Sequence, residues 1–89
     1  MENWSPKANL IEKTMVEAIR YILYKYEDIL EISTLGQIVK YNYNKSKKKL
    51  FLNGKRRTPH YFISSNYGSW VNFLKLYNFK VIDDKYISL

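Results

Sequence analysis

The stretch "SSNYGSWVNFLKLYNFKVIDDKYISL", residues 64–89, contains a helical pattern that leads directly into a strand pattern. Its first half carries apolar residues at positions i, i+3, i+4 and i+7, which predicts a helix with one buried face. The residues on this face are Trp70, Phe73, Leu74 and Tyr77. Ser65 or Asn66 can cap this helix, because a side-chain oxygen there can accept a hydrogen bond from the first turn.

The second half of the stretch predicts a β-hairpin. Short apolar runs lie on both sides of Asp83-Asp84, and alternation around two turn-forming residues is typical of paired strands. The residues expected to face the core are Phe79, Val81, Ile87 and Leu89. The hairpin would then cover one side of the core.

A long helix is predicted near the start of the chain. Residues 6–26 carry an apolar stripe at helical spacing. Ser5 is a candidate N-cap, and Pro6 suits the first helical position because its missing N–H would have no partner there.

A shorter helix is predicted at residues 34–43, after a cap at Ser33 or Thr34. Gly36 near its start would allow another element to pack closely against it. Three helices followed by a two-stranded β-wing predict an α+β winged helix-turn-helix, in which the second and third helices form the helix-turn-helix.

The composition limits the class of protein. With 89 residues, the chain is expected to form one winged-helix domain, residues 1–89, cut from a longer protein. It contains no cysteine, which excludes a disulfide scaffold, a thiol nucleophile and Cys-ligated zinc. The N-terminus lacks the pattern of a secretory signal, and no apolar run is long enough to span a bilayer. An intracellular location, cytoplasmic or nuclear, is expected.

The net charge of +7 is concentrated in one segment. Residues 40–57 contain eight Lys and Arg and no Asp or Glu, whereas the rest of the chain has seven basic and eight acidic residues. A localised positive patch attracts polyanions, either nucleic acid or an anionic membrane surface. Within the segment, Asn53-Gly54 is a type I′ turn signal, so both a charged hairpin and an ordered loop remain open.

Basic side chains neutralise phosphates, and aromatic rings stack on exposed bases. The residues predicted to bind RNA are Lys40, Lys45, Lys47, Lys48, Lys49, Lys55, Arg56, Arg57, Tyr61 and Tyr67. Core packing is the alternative for each aromatic residue, and Phe51, Phe62 and Trp70 are assigned to the core. About six neutralised phosphates on a single strand would give a slope of log K against log salt near −4.

With the elements in this order, the C-terminal part of the chain resembles the LOTUS domain, also called OST-HTH. The matching segments are Gly68-Ser69-Trp70, Phe73-Leu74, Phe79-Lys80-Val81 and Tyr86-Ile87-Ser88-Leu89, with Leu35-Gly36 at the second helix. The resemblance covers roughly residues 10–89 and is most specific in the last third. The basic stretch around Asn53-Gly54 departs from the family pattern.

The resemblance implies a winged helix of the kind found in RNA-regulating proteins, with binding to G-rich and G-quadruplex RNA. The isolated domain is expected to be a monomer, and a cytoplasmic location would be in ribonucleoprotein (RNP) granules. Some LOTUS domains carry an extra C-terminal helix and bind a DEAD-box helicase. No residues follow Leu89 to supply that helix, so helicase binding is not expected here.

Catalysis is not expected, and neither a cofactor nor a metal is predicted. His60 is the single histidine and is interpreted as a surface loop residue after Pro59. Asp83-Asp84 is explained by a turn, and the three glycines form no phosphate-binding motif.

Three binding functions remain. The first is an RNA-binding module, and the second is a protein–protein interaction module of an RNP regulator. The third is a winged-helix DNA-binding domain, which is less favoured because the outward face of the third helix has no Arg to pair with guanine. Membrane-surface binding is not expected, since the first helix lacks a strongly basic polar face.

Overall fold

The computed structural model describes residues 4–6, 8–25 and 29–89, and this part of the chain contains four helices and five short strands. In chain order they are α1 Ala8–Lys25, β1 Leu30–Glu31, α2 Ile32–Lys45, β2 Leu50–Leu52, β3 Lys55–Arg57, α3 Pro59–Tyr67, α4 Trp70–Leu76, β4 Lys80–Ile82 and β5 Tyr86–Ser88. The predicted α+β class is therefore confirmed. None of the described helices is long and apolar enough to cross a membrane.

The first predicted helix is present as α1, with a later start. The Ser5 carbonyl accepts a hydrogen bond from the Ala8 N–H at 3.0 Å, whereas the Ser5 N–H donates to the Phe51 carbonyl at 2.9 Å. Ser5 therefore continues an extended segment. Its Oγ has no hydrogen-bond partner among the described residues, so the predicted side-chain cap is not seen there. Tyr26, the predicted last residue, lies outside the described residues.

The second helix begins earlier than predicted, and the predicted cap at Ser33 or Thr34 is wrong. Glu31 occupies the N-cap position without a side-chain cap, and the Ser33 hydroxyl donates to its Oε1 at 3.1 Å. The Ile32 N–H donates to the Lys85 carbonyl at 2.9 Å. The helix start is thus set by the adjoining sheet and not by a local cap.

The third predicted helix is present as α4, and a further helix, α3, precedes it, so the expected count of three is wrong. Gly68 separates them with φ of 84°, a left-handed conformation that ends α3. Thr58 caps α3 by accepting from the Tyr61 N–H, and Ser69 caps α4 by accepting from the Asn72 N–H, both at 3.1 Å. The predicted caps Ser65 and Asn66 lie inside α3.

The C-terminal hairpin is present, and it belongs to a three-stranded antiparallel sheet of order β1-β5-β4. Asp83 and Asp84 form its turn, with φ of 53° and 51°. Leu89, expected in the core, is 56% exposed, because pairing ends with Lys80 opposite Ser88, one residue earlier. The third strand, β1, pairs Leu30 with Ile87 and was not predicted.

One core joins these elements. Its fully buried side chains include Ile19, Leu35, Leu50, Ile63, Phe73, Leu74 and Ile87. Phe62 is buried as predicted, and Trp70 is partly buried against the core.

The prediction that His60 is a surface loop residue is wrong. His60 lies in α3, and its Nδ1 accepts a hydrogen bond from the Trp70 Nε1–H at 3.0 Å. Its ring also lies against Gly36 of α2, where an added Cβ would come within 2.9 Å of His60 Cε1. The close packing expected at Gly36 is confirmed.

Candidate nucleic-acid interface

The basic segment contains an antiparallel hairpin, which decides between the two predicted alternatives. Asn53 and Gly54 form the turn with φ of 51° and 81°, as a type I′ turn requires. The pairs across the hairpin are Leu50 with Arg57, Phe51 with Arg56 and Leu52 with Lys55. The type I′ turn predicted from Asn53-Gly54 is therefore confirmed.

The assignment of Phe51 to the core is wrong. Leu50 and Leu52 are buried, so the residue between them must point to the opposite face of the strand. Phe51 is 40% exposed there, and Arg56 lies directly opposite it on β3. An aromatic ring and a guanidinium group thus occupy one solvent-facing surface.

Tyr43 of α2 holds the open end of the hairpin. Its hydroxyl accepts a hydrogen bond from the Leu50 N–H at 2.8 Å and donates to the Arg57 carbonyl at 2.9 Å. One side chain therefore connects both strands to the helix. The hairpin cannot shift relative to α2 without breaking at least one of these bonds.

The N-terminal segment covers the outer edge of β2. Trp4 forms a single antiparallel bridge with Leu52, and the Ser5 N–H donates to the Phe51 carbonyl. The Trp4 ring packs edge-on against Phe62 at 4.8 Å between centroids. Among the described strands, β3 pairs with β2 alone, so the strand that carries the basic residues is the open edge.

The structure brings together most of the predicted basic residues. We define the basic surface as the four exposed cations in or next to the hairpin, namely Lys47, Lys48, Lys55 and Arg56. Lys40 and Lys45 are also exposed, on α2, and the Lys45 ammonium lies 4.5 Å above the ring of Tyr41.

Lys49 has a structural role that the sequence did not indicate. Its ammonium donates to the Tyr43 carbonyl at 2.8 Å and to the Asn44 carbonyl at 3.4 Å. These carbonyls belong to the last turn of α2, where a cation compensates the negative end of the helix dipole. Lys49 is therefore less available to a phosphate than its neighbours.

Arg57 and Tyr61 form a stacked pair beside the hairpin. The guanidinium carbon lies 4.4 Å from the centre of the Tyr61 ring, and Trp4 lies 6.2 Å from the same ring at a tilt. Tyr61 is 40% exposed. The pair is thus held in place while part of the ring remains open to solvent.

Tyr67 is not brought to this surface. Its ring packs edge-on against Phe73 at 5.0 Å between centroids, and its hydroxyl donates to Glu12 of α1. Tyr77 donates to the other oxygen of the same carboxylate. The pKa of Tyr67 is raised mainly by burial and also by the contact with Glu12. The pKa of Tyr77 is raised mainly by its hydrogen bond to Glu12.

The residues that sequence reasoning missed are aromatic. Phe51 was assigned to the core, and Trp4 was not considered as a site residue. The signal for Phe51 was present, because burial of both leucines in "LFL" requires an exposed phenylalanine. Trp4 gave no such signal, since its position depends on pairing with a strand far away in the sequence.

The chemistry available here is binding to anions and to flat rings. In the described ranges, no group of three or more His, Asp or Glu is placed to hold a metal ion. Comparison of the chain with protein-family models, curated proteins and solved structures finds no match.

Proposed function

We propose that this protein is an RNA-binding module with a LOTUS-like winged-helix arrangement. The observation that carries the proposal is the hairpin surface, where solvent-facing Phe51 lies opposite Arg56 and among exposed lysines. Cations neutralise phosphates, while an exposed ring stacks on unpaired bases. Together they suit a single strand or a folded RNA with accessible base planes.

Two features support RNA over sequence-specific duplex DNA. The turn of the C-terminal hairpin carries Asp83 and Asp84, which would repel phosphates near a groove. The exposed face of α4 offers Asn72 and Lys75 and no arginine for guanine. Recognition would therefore rest on backbone charge and on the shape of the RNA, which includes the flat faces of G-rich RNA.

The first test compares four ligands by fluorescence anisotropy at two salt concentrations. They are a G-rich RNA in potassium, the same RNA in lithium, a mixed single-stranded RNA and a duplex DNA. We expect the tightest binding to the potassium-folded RNA, with a salt slope of roughly −3 from the four cations of the basic surface. Equal binding to all four ligands would reduce the surface to a nonspecific electrostatic contact. Absence of binding to every ligand would contradict the proposal.

A matched pair of triple variants tests the location. Lys47→Glu, Lys55→Glu and Arg56→Glu together should weaken RNA binding by roughly a hundredfold or more. The control variant changes Lys13, Lys75 and Lys80, which are also exposed, to Glu and leaves the basic surface intact. Circular dichroism and thermal unfolding verify that both variants fold. Equal losses in the two variants would mean that net charge, and not this surface, determines the affinity.

Phe51→Ala tests stacking without a change of charge. Stacking on one base contributes about 1–3 kcal/mol, so the variant should bind RNA roughly 5- to 150-fold more weakly. Since Phe51 is 40% exposed, its loss should lower the free energy of unfolding moderately, and circular dichroism verifies that the variant folds. Leu76→Ala, at another exposed apolar residue far along the chain, is the control and should bind like the unmodified protein. Unchanged affinity of the Phe51 variant would exclude stacking at this ring.

A further inference from the structure

An apolar groove of about 500 Å³ lies between α1 and α2. On the α1 side it follows Leu10, Thr14, Ala18 and Ile22, which are spaced four residues apart and form one face of the helix. At 1.5 Å per residue, this face is about 18 Å long. The α2 side is formed mainly by Leu35, Ile38 and Val39.

The two ends of the groove differ in charge. Lys47 and Lys48 line it just beyond the C-terminal end of α2, beside Ser46. None of the described residues that line the groove is acidic. The same two lysines also border a second depression of about 370 Å³, next to Phe51. The groove is therefore long and apolar, with a cationic end.

We propose that this groove binds a medium- to long-chain fatty acid. The acyl chain would lie between α1 and α2, and the carboxylate would meet Lys47 and Lys48. This binding site goes beyond the RNA-binding function and does not depend on it. Sites for small ligands typically have volumes of about 300–1,000 Å³ and mostly apolar walls with a few polar groups, as found here.

The dimensions favour a fatty acid over an amphipathic helix. A helix with its side chains is about 10–12 Å across, so only one of its faces could enter the groove. A single acyl chain is narrow enough to lie inside. Its one negative group also matches the single cationic end, whereas an amphipathic helix usually carries charges along its whole polar face.

The test is a titration of the isotope-labelled full chain, followed by NMR, with saturated fatty acids of increasing length below their micelle concentrations. Shift changes should saturate and centre on α1 and α2. Affinity should increase roughly fourfold with each added methylene until the groove is filled. The alcohol of the same chain length should bind several-fold more weakly than the acid. Affinity that does not depend on chain length, or equal binding of acid and alcohol, would overturn the proposal.

Two pairs of variants locate the ligand. Lys47→Ala with Lys48→Ala should weaken binding of the acid about tenfold and leave binding of the alcohol unchanged. Lys55→Ala with Arg56→Ala removes the same charge away from the groove and should have no effect. Ala18→Phe should block the groove; if this variant fails to fold, the comparison of acid with alcohol still decides. Binding of an acidic helical peptide without binding of fatty acid would also overturn the proposal.

Discussion

At Gly36 the absence of a side chain lets the His60 ring of α3 pack directly against α2. Alanine is favoured over glycine inside a helix by about 1 kcal/mol. At Gly36, however, the new Cβ would meet the His60 ring, which is held by its hydrogen bond from Trp70. Displacing the ring would break that bond, at a cost of about 1–3 kcal/mol. Gly36→Ala should therefore lower the free energy of unfolding in urea titrations.

A double-mutant cycle separates the contact from helix propensity. In the His60→Ala background the obstacle is absent, so Gly36→Ala should raise the free energy of unfolding by up to about 1 kcal/mol. The sign of the effect is thus expected to reverse. The same sign in both backgrounds would mean that the His60 ring does not limit this position.

Tyr67 and Tyr77 make the stability of the fold sensitive to alkaline pH, because burial of Tyr67 and the contacts of both hydroxyls with Glu12 raise the pKa values of these tyrosines. The Glu12 carboxylate accepts hydrogen bonds from Tyr67 and Tyr77, and the pKa of each tyrosine is raised in the folded protein. In the unfolded chain a tyrosine loses its proton near pH 10, so above that pH the unfolded state binds fewer protons than the folded state. The stabilisation that the protonated Tyr67 and Tyr77 provide is therefore complete below about pH 10 and decreases as the pH rises further.

Urea titrations between about pH 8 and pH 11 measure this dependence. The double variant Tyr67→Phe with Tyr77→Phe should be less stable at pH 8 and should lose less stability above pH 10. Tyr24→Phe is the matched control, since Tyr24 is 80% exposed, and its alkaline decrease should equal that of the unmodified protein. An unchanged decrease in the double variant would show that Tyr67 and Tyr77 do not cause it.

At the scale of elements, the basic hairpin depends on α2 through Tyr43. Tyr43→Phe leaves the Leu50 N–H without its acceptor in a buried position, which should destabilise the protein by about 1–3 kcal/mol. The amide of Leu50 should also exchange its hydrogen faster. Tyr41→Phe, two residues earlier and exposed, should change the free energy of unfolding by less than about 0.5 kcal/mol. Equal effects at the two tyrosines would refute the anchoring role.

The elements that were predicted correctly are determined by residues close together in the sequence. The apolar stripe of α1, the Asn53-Gly54 turn and the C-terminal hairpin depend on spacing and turn chemistry within a few residues. The helix α3 was missed because the chain from Thr58-Pro59 to His60 was interpreted as a loop. Thr58 and Pro59 are a good N-cap and first position for a new helix.

Other elements were missed because they depend on distant partners. The strand β1 has two residues and exists through its pairing with β5, more than fifty positions later. Tyr67 was predicted to bind RNA because it lies near basic residues in the sequence, yet its hydroxyl meets Glu12 on α1. Charge clustering located the candidate surface, whereas the orientation of each aromatic ring required the tertiary structure.

At the scale of the whole molecule, the basic surface and the apolar groove share Lys47 and Lys48. A fatty acid bound in the groove would neutralise cations that RNA also needs, so each ligand should weaken binding of the other by the same factor. With the groove saturated by decanoate, whose single carboxylate offsets one cation, we expect weaker RNA binding in anisotropy titrations and a salt slope smaller by about 0.7. Decanol should leave RNA binding unchanged, and decanoate should have no effect on the Lys47→Ala, Lys48→Ala variant. Full RNA affinity at saturating decanoate would show that the two sites act independently.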